Sequence, residues 1–176
     1  MSPTWYERSP NRLESEKASL EAFKREYNHP LFTYACRFRR TPYLSPDDPS
    51  CDGKFEVRVE LPFRPGDGCP LELWVFQFLY DDNHPKQVFN GLYGGSIKAY
   101  PIRRKLEVRP GIFKEIPFDR NFHHLVRENN YSDRLYACQR SDANTSEVNA
   151  YHVLQNLTRW LAVYFVYETI GEDADA

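Results

Sequence analysis

Apolar residues recur along the chain with two different periods. Between residues 11 and 28, Leu13, Leu20, Phe23 and Tyr27 fall at spacings of seven, three and four. That is the single stripe of an amphipathic helix. Glu14, Glu16, Lys17, Glu21, Lys24, Arg25 and Glu26 are expected to cover the rest of its surface. Asn11 with Glu14 three residues later has the form of a capping box, and Pro10 is tolerated beside a helix start. Asn28-His29-Pro30 ends the helix, because the residue before a proline is pushed out of helical space.

The period then falls to two. Leu31 to Arg40 carries the aromatic and β-branched types that predict a strand. Pro42 to Asp52 reads as a loop, with its prolines, paired aspartates and serines. From Lys54 to Leu61 the alternation is strict, with Phe55, Val57, Val59 and Leu61 on one side and Lys54, Glu56, Arg58 and Glu60 on the other. This predicts a strand with a solvated outer face. Leu71 to Tyr80 is apolar on both sides and reads as a central strand. Ile97–Tyr100 and Ile102–Val108 give a fourth, weaker strand broken at Pro101.

Arg109 to Ser146 shows no sustained period. Long irregular stretches within a domain are often functional. A second helix follows, with Asn144 and Glu147 as its expected capping box and Gly171 as its stop. Its apolar face runs through Ala150, Val153, Leu154, Leu157, Trp160, Leu161, Tyr164 and Phe165. Strands grouped in sequence beside segregated helices mean α+β, not a parallel α/β sheet. The expected architecture is an N-terminal helix, a four-stranded antiparallel meander, a long active-site loop, and a C-terminal helix packed on the sheet.

The 176 residues fit one domain over 1–176, with an ordered core over about 11–170. Aromatics reach 15%, which argues against a disordered chain. A net charge of −2 offers no phosphate-neutralising surface, so nucleic acid is not an expected partner. No apolar run reaches the roughly 20 residues of a membrane span. The segment Met1–Arg8 lacks the basic and apolar blocks of a signal peptide, so a reducing, cytoplasmic location is expected.

Cys36, Cys51, Cys69 and Cys138 contain no C-x-x-C pair, and neither a disulfide framework nor a zinc site is expected. No phosphate-binding glycine motif is present, and no cofactor is expected. His123-His124 are the only His pair, and because adjacent residues are expected to point different ways, a shared metal is not expected. Cys138 differs from the other cysteines, because it lies in a polar segment ahead of the last helix, where a thiol can be reached.

This arrangement resembles the ubiquitin-conjugating enzyme fold, in particular divergent bacterial members found in antiphage defence operons. Leu135-Tyr136-Ala137-Cys138 takes the place of the apolar residue and nucleophile, after His123-His124 and Asn129-Asn130. Asn130 stands eight residues before Cys138, the spacing of the family's asparagine, with Glu128 and Asn129 where its His and Pro would be. Trp160-Leu161 with Tyr164-Phe165 and Tyr167 resembles the family's helix end.

The resemblance implies acyl transfer through a Cys138 thioester. Asn130, then Asn129, would supply the oxyanion donor. Asp133 or Asp142 would accept a proton or orient the attacking amine. The implied partner is a protein with a transferable C-terminus, either a ubiquitin-like protein or a nucleotidyltransferase of the cyclic-dinucleotide type. Two other readings stand beside it. One is an inactive relative that grips a partner's tail. The other is a Cys-His hydrolase pairing Cys138 with His123, His124 or His152.

Overall fold

The computed structural model describes residues 4–38, 55–80, 84–85, 96–127, 134–138 and 148–170. The chain opens with a short helix α1 (Trp5–Arg8) and a longer α2 (Pro10–Tyr27). Strands β1 (Thr33–Phe38), β2 (Phe55–Phe63), β3 (Glu72–Tyr80), β4 (Ile97–Arg109) and β5 (Ile112–Ile116) follow. A small hairpin, β6 (Leu125–Arg127) with β7 (Leu135–Ala137), leads to the last helix α3 (Ala150–Ile170). The fold is α+β, with an antiparallel sheet of order β1-β2-β3-β4-β5.

Helix α2 begins earlier than its sequence cap implied. Pro10 opens it, where a missing N–H costs nothing, and Asn11 lies inside it. The capping box belongs instead to α1, where Thr4 and Glu7 cap each other. Asn28 closes α2 in the left-handed region at φ 49°, its N–H donating to the Lys24 carbonyl. Asparagine tolerates that conformation better than most residues.

The sheet has one strand more than the meander expected, and the stretch after Arg109 is more regular than its composition implied. Gly111, at φ +77°, turns the chain so that β5 pairs back onto β4. β5 alternates weakly in hydrophobicity because it is an edge strand, and Ile112 is exposed. Pro101 does not break β4. The register of β3 with β4 shifts between Val75 and Phe76, and a bulge is where a residue without an N–H fits a sheet. The expected pairing of β2 with β3 is antiparallel, as in Val59 opposite Phe76. The loop expected at 42–52, the cap residues Asn144 and Glu147, and the tail from Gly171 lie outside the described residues.

Helices α2 and α3 cover one face of the sheet. Phe55, Val57, Val59 and Leu61 of β2 point into this core with Trp74 and Phe76 of β3. Trp160 of α3 crosses Trp74 edge-on at 5.8 Å and stacks on Tyr164 at 5.7 Å. Trp160→Ala is expected to cost about 3–5 kcal/mol, because the surrounding rings belong to separate elements and cannot collapse into the space. A urea midpoint unchanged by the substitution would show that the ring is not part of the core.

Candidate active site around Cys138

The β6–β7 hairpin is held by side chains that alternate between two clusters. Leu125 and Ala137 are buried in the main core beneath the helices. Val126 and Tyr136, directly opposite each other, point the other way onto Leu79, Tyr100 and Ile102. The hairpin therefore lies against the first half of β4, with one side in each cluster. Tyr136 meets Tyr100 edge-on at 5.9 Å, and the Arg134 guanidinium lies over the Tyr100 ring at 4.1 Å. Such contacts contribute about 0.5–1 kcal/mol each at partly exposed sites.

Cys138 follows β7 directly and is half-buried. Its backbone N–H donates to the His124 carbonyl at 2.8 Å, which extends the pairing of Leu125 with Ala137 by one residue. By strand alternation, Cys138 shares the side of Tyr136 and Arg134, away from the main core. The same His124 carbonyl accepts the Trp160 indole N–H at 3.0 Å. The backbone of the thiol residue is thus tied through one oxygen to the middle of α3.

Asn149 caps α3, its side-chain oxygen accepting the His152 amide at 3.0 Å. The Ala150 amide at that helix end donates to Glu16, not to a thiol, and Cys138 stands twelve residues before Ala150. The dipole of α3 therefore does not provide the thiolate activation that a helix-borne cysteine nucleophile receives. His152 is exposed on the first turn of α3 and His123 is exposed beside half-buried His124, their rings 4.4 Å apart. Of these histidines, His124 is joined to Cys138 by a backbone hydrogen bond. Asn129, Asn130, Asp133 and Asp142 lie outside the described residues, as does Cys51.

Of the remaining thiols, Cys36 sits on β1 against the core. Burial pushes its pKa up, Glu16 adds to the rise, and Lys17 opposes it. A thiol raised in this way is a weaker nucleophile at neutral pH than an unperturbed one. Cys69 lies in the turn between β2 and β3, its N–H on the Gly66 carbonyl. Among the described residues no group of three or more His, Cys, Asp or Glu is placed to hold a metal ion.

Buried polar networks centred on Glu16 and Arg104 lie elsewhere in the fold. In the first, Glu16 is buried rather than on the solvated side of α2. One carboxylate oxygen accepts the Tyr80 hydroxyl and the Ala150 amide, each at 3.0 Å. The other meets His84 Nε2 at 2.9 Å, while His84 Nδ1 meets the Ser96 hydroxyl at 2.9 Å. Burial, then the adjacent carboxylate, drives the Tyr80 hydroxyl well above its ordinary range. A Ser–His–Glu series of this kind resembles a hydrolase relay, but Ser96 has no exposed surface. The sequence carried a signal, since Glu16 follows Leu13 by three and precedes Leu20 by four, on the apolar stripe itself.

In the second network, Arg104 donates two hydrogen bonds to Glu72 and two to Glu168, at 2.6–3.2 Å, and one to the Pro117 carbonyl. Its guanidinium also lies over the Trp74 and Tyr164 rings, 5.3 Å from each. Burial lowers the Arg104 pKa, but hydrogen bonds to Glu168 and Glu72 outweigh it and raise it overall. The guanidinium in turn holds the Glu168 carboxyl below its usual range against a smaller opposing effect of burial. This clamp joins β3, β4 and the end of α3.

The chain is an α+β protein in which Cys138 lies half-buried at the end of the β6–β7 hairpin. No family model matches the chain, and no match was found among curated proteins or solved structures.

Proposed function

We propose that this chain is a cysteine-dependent acyl transferase of the ubiquitin-conjugating type, with Cys138 as its nucleophile. The reading is supported by placement. A half-buried cysteine closes a hairpin beside an antiparallel sheet, ahead of the long helix that packs across that sheet. In the first step the Cys138 thiolate attacks the C-terminal carbonyl of a protein held as a thioester on a second protein. The tetrahedral intermediate expels that protein's thiolate and leaves the acyl group on Sγ. In the second step a neutral amine attacks, its proton passes to a carboxylate, and Cys138 departs as thiolate. Asn130 or Asn129 would donate to the transient oxyanion, and Asp133 or Asp142 would take the proton. The client protein is a ubiquitin-like protein or a defence nucleotidyltransferase.

The test is co-expression with each candidate client, read by non-reducing gels and mass spectrometry. The expected adduct joins the client's C-terminus to Cys138 and disappears with thiols or hydroxylamine. Cys138→Ala should abolish it. Cys138→Ser should either abolish it or leave an ester that resists thiols, since an alkoxide forms far less readily than a thiolate. Replacing Cys36, Cys51 or Cys69 should leave the adduct in place. An adduct that survives Cys138→Ala, or a native Cys138 thiol that resists alkylation, would overturn the reading. A Cys138→Ala protein with full cellular effect would establish a binding module in its place.

A further inference from the structure

We infer that Trp160 is a positioning residue for Cys138, acting through the His124 carbonyl and not through contact with substrate. The inference rests on the proposed role of Cys138 as the reacting group. Trp160 is buried among rings, with Trp74, Phe76 and Phe122 edge-on at 5.5–6.1 Å and Tyr164 stacked at 5.7 Å. A phenylalanine would keep most of that packing. What it would lose is the one polar atom of the side chain, the indole N–H, which donates to His124 at 3.0 Å. That carbonyl also accepts the Cys138 N–H at 2.8 Å. A carbonyl oxygen has two lone pairs, and these two donors use both.

The bond matters because of what lies at its other end. Helix α3 is anchored at its start by Glu16 on the Ala150 amide and near its end by Glu168 on Arg104. Trp160 stands between those anchors and carries their rigidity to the last residue of the hairpin. The hairpin strands are short, three residues each, and a two-stranded ribbon of that length has little stability of its own. The indole N–H therefore fixes the Cys138 backbone to a rigid element and lowers the cost of holding the sulfur in one attacking geometry.

The experiment compares wild type with Trp160→Phe in the full chain by three measurements. These are amide hydrogen exchange at Cys138, the alkylation rate of Cys138 against pH followed by peptide mass spectrometry, and adduct formation with the client. Loss of one net hydrogen bond corresponds to roughly tenfold in a local equilibrium. The Cys138 amide is therefore expected to exchange about tenfold faster, with amides of β3 unchanged, and single-turnover adduct formation should slow by a similar factor at saturating client. If Trp160→Phe does not fold, Trp160→benzothienylalanine removes the N–H at constant shape and replaces it in all three measurements. Unchanged exchange at Cys138 would overturn the inference. So would loss of protection spread equally through β3 and α3, since Trp160 would then be a core residue only. If wild type forms no adduct, the acyl-transfer reading fails separately, and exchange and alkylation still decide whether Trp160 sets the thiol's position.

Discussion

Glu16→Ala should lower the stability of this protein by about 3–5 kcal/mol, the range for removing one partner from a buried charged network. Three groups would lose their acceptor or ion partner together: the Tyr80 hydroxyl, the Ala150 amide and His84 Nε2. All are buried, so water does not replace the carboxylate without opening the core. Single domains are stable by only about 5–15 kcal/mol, so the loss is a large fraction of the whole. Glu16→Gln should cost less, about 1–3 kcal/mol. Its carbonyl oxygen can accept from Tyr80 and Ala150, and its amide can donate to Nε2 if the imidazole shifts its proton to Nδ1 and Ser96 accepts. Urea unfolding followed by tryptophan fluorescence measures both, and Trp5, stacked on Tyr80 at 5.4 Å, reports from within the network. Equal midpoints for wild type and Glu16→Ala would show that the carboxylate is not the hub described.

Arg104→Met should cost a comparable 3–5 kcal/mol at neutral pH, and the loss should shrink in acid. Methionine keeps part of the apolar volume but leaves the Glu72 and Glu168 carboxylates facing one another without their cation. The pH dependence follows from Glu168, whose carboxyl the Arg104 hydrogen bonds hold below its usual range. A group whose pKa is depressed by folding contributes stability above its unfolded value, about 4.3 for glutamate, and loses it as pH falls through the folded value. The variant lacks that contribution, so its deficit is greatest near pH 7 and narrows as Glu168 takes up its proton. Because Glu168 is partly exposed, solvent screening reduces the size of its contribution. Urea midpoints at pH 7 and pH 4 test this. A deficit of the same size at both would mean that lost packing on Trp74 and Tyr164, not charge, is responsible. Arg104→Lys should recover little, since an ammonium cannot reproduce a fork bonded to two carboxylates at once.

The strands with a buried partner on one or both faces were legible from periodicity. β2 alternates in sequence because one face meets the helices, and β3, apolar apart from Glu72 and Gln77, is buried along its whole length. The stripe of α3 was equally plain, since Val153, Leu154, Leu157, Trp160, Leu161 and Tyr164 are all buried. β5, β6 and β7 were not legible. Two of them are three residues long, too short to show a period, and the other is an edge with mostly exposed side chains. At the start of α3 Asn149 is bonded to the first turn, while the expected cap residues Asn144 and Glu147 lie outside the described residues.

By itself the sequence determined that two amphipathic helices and an alternating set of strands must bury one face each, which defines an α+β fold with the helices on a sheet. It also singled out Cys138 as the cysteine in a polar segment just ahead of the last helix. Which charges go inside was decided only by the tertiary structure. A buried carboxylate is tolerated when donors converge on it, and those donors come from far along the chain: Tyr80 is 64 residues from Glu16, His84 is 68, and the Ala150 amide is 134. Likewise nothing near Cys138 in sequence announces that its amide shares an acceptor with Trp160, because His124 and α3 meet that residue only once the hairpin has folded against the sheet.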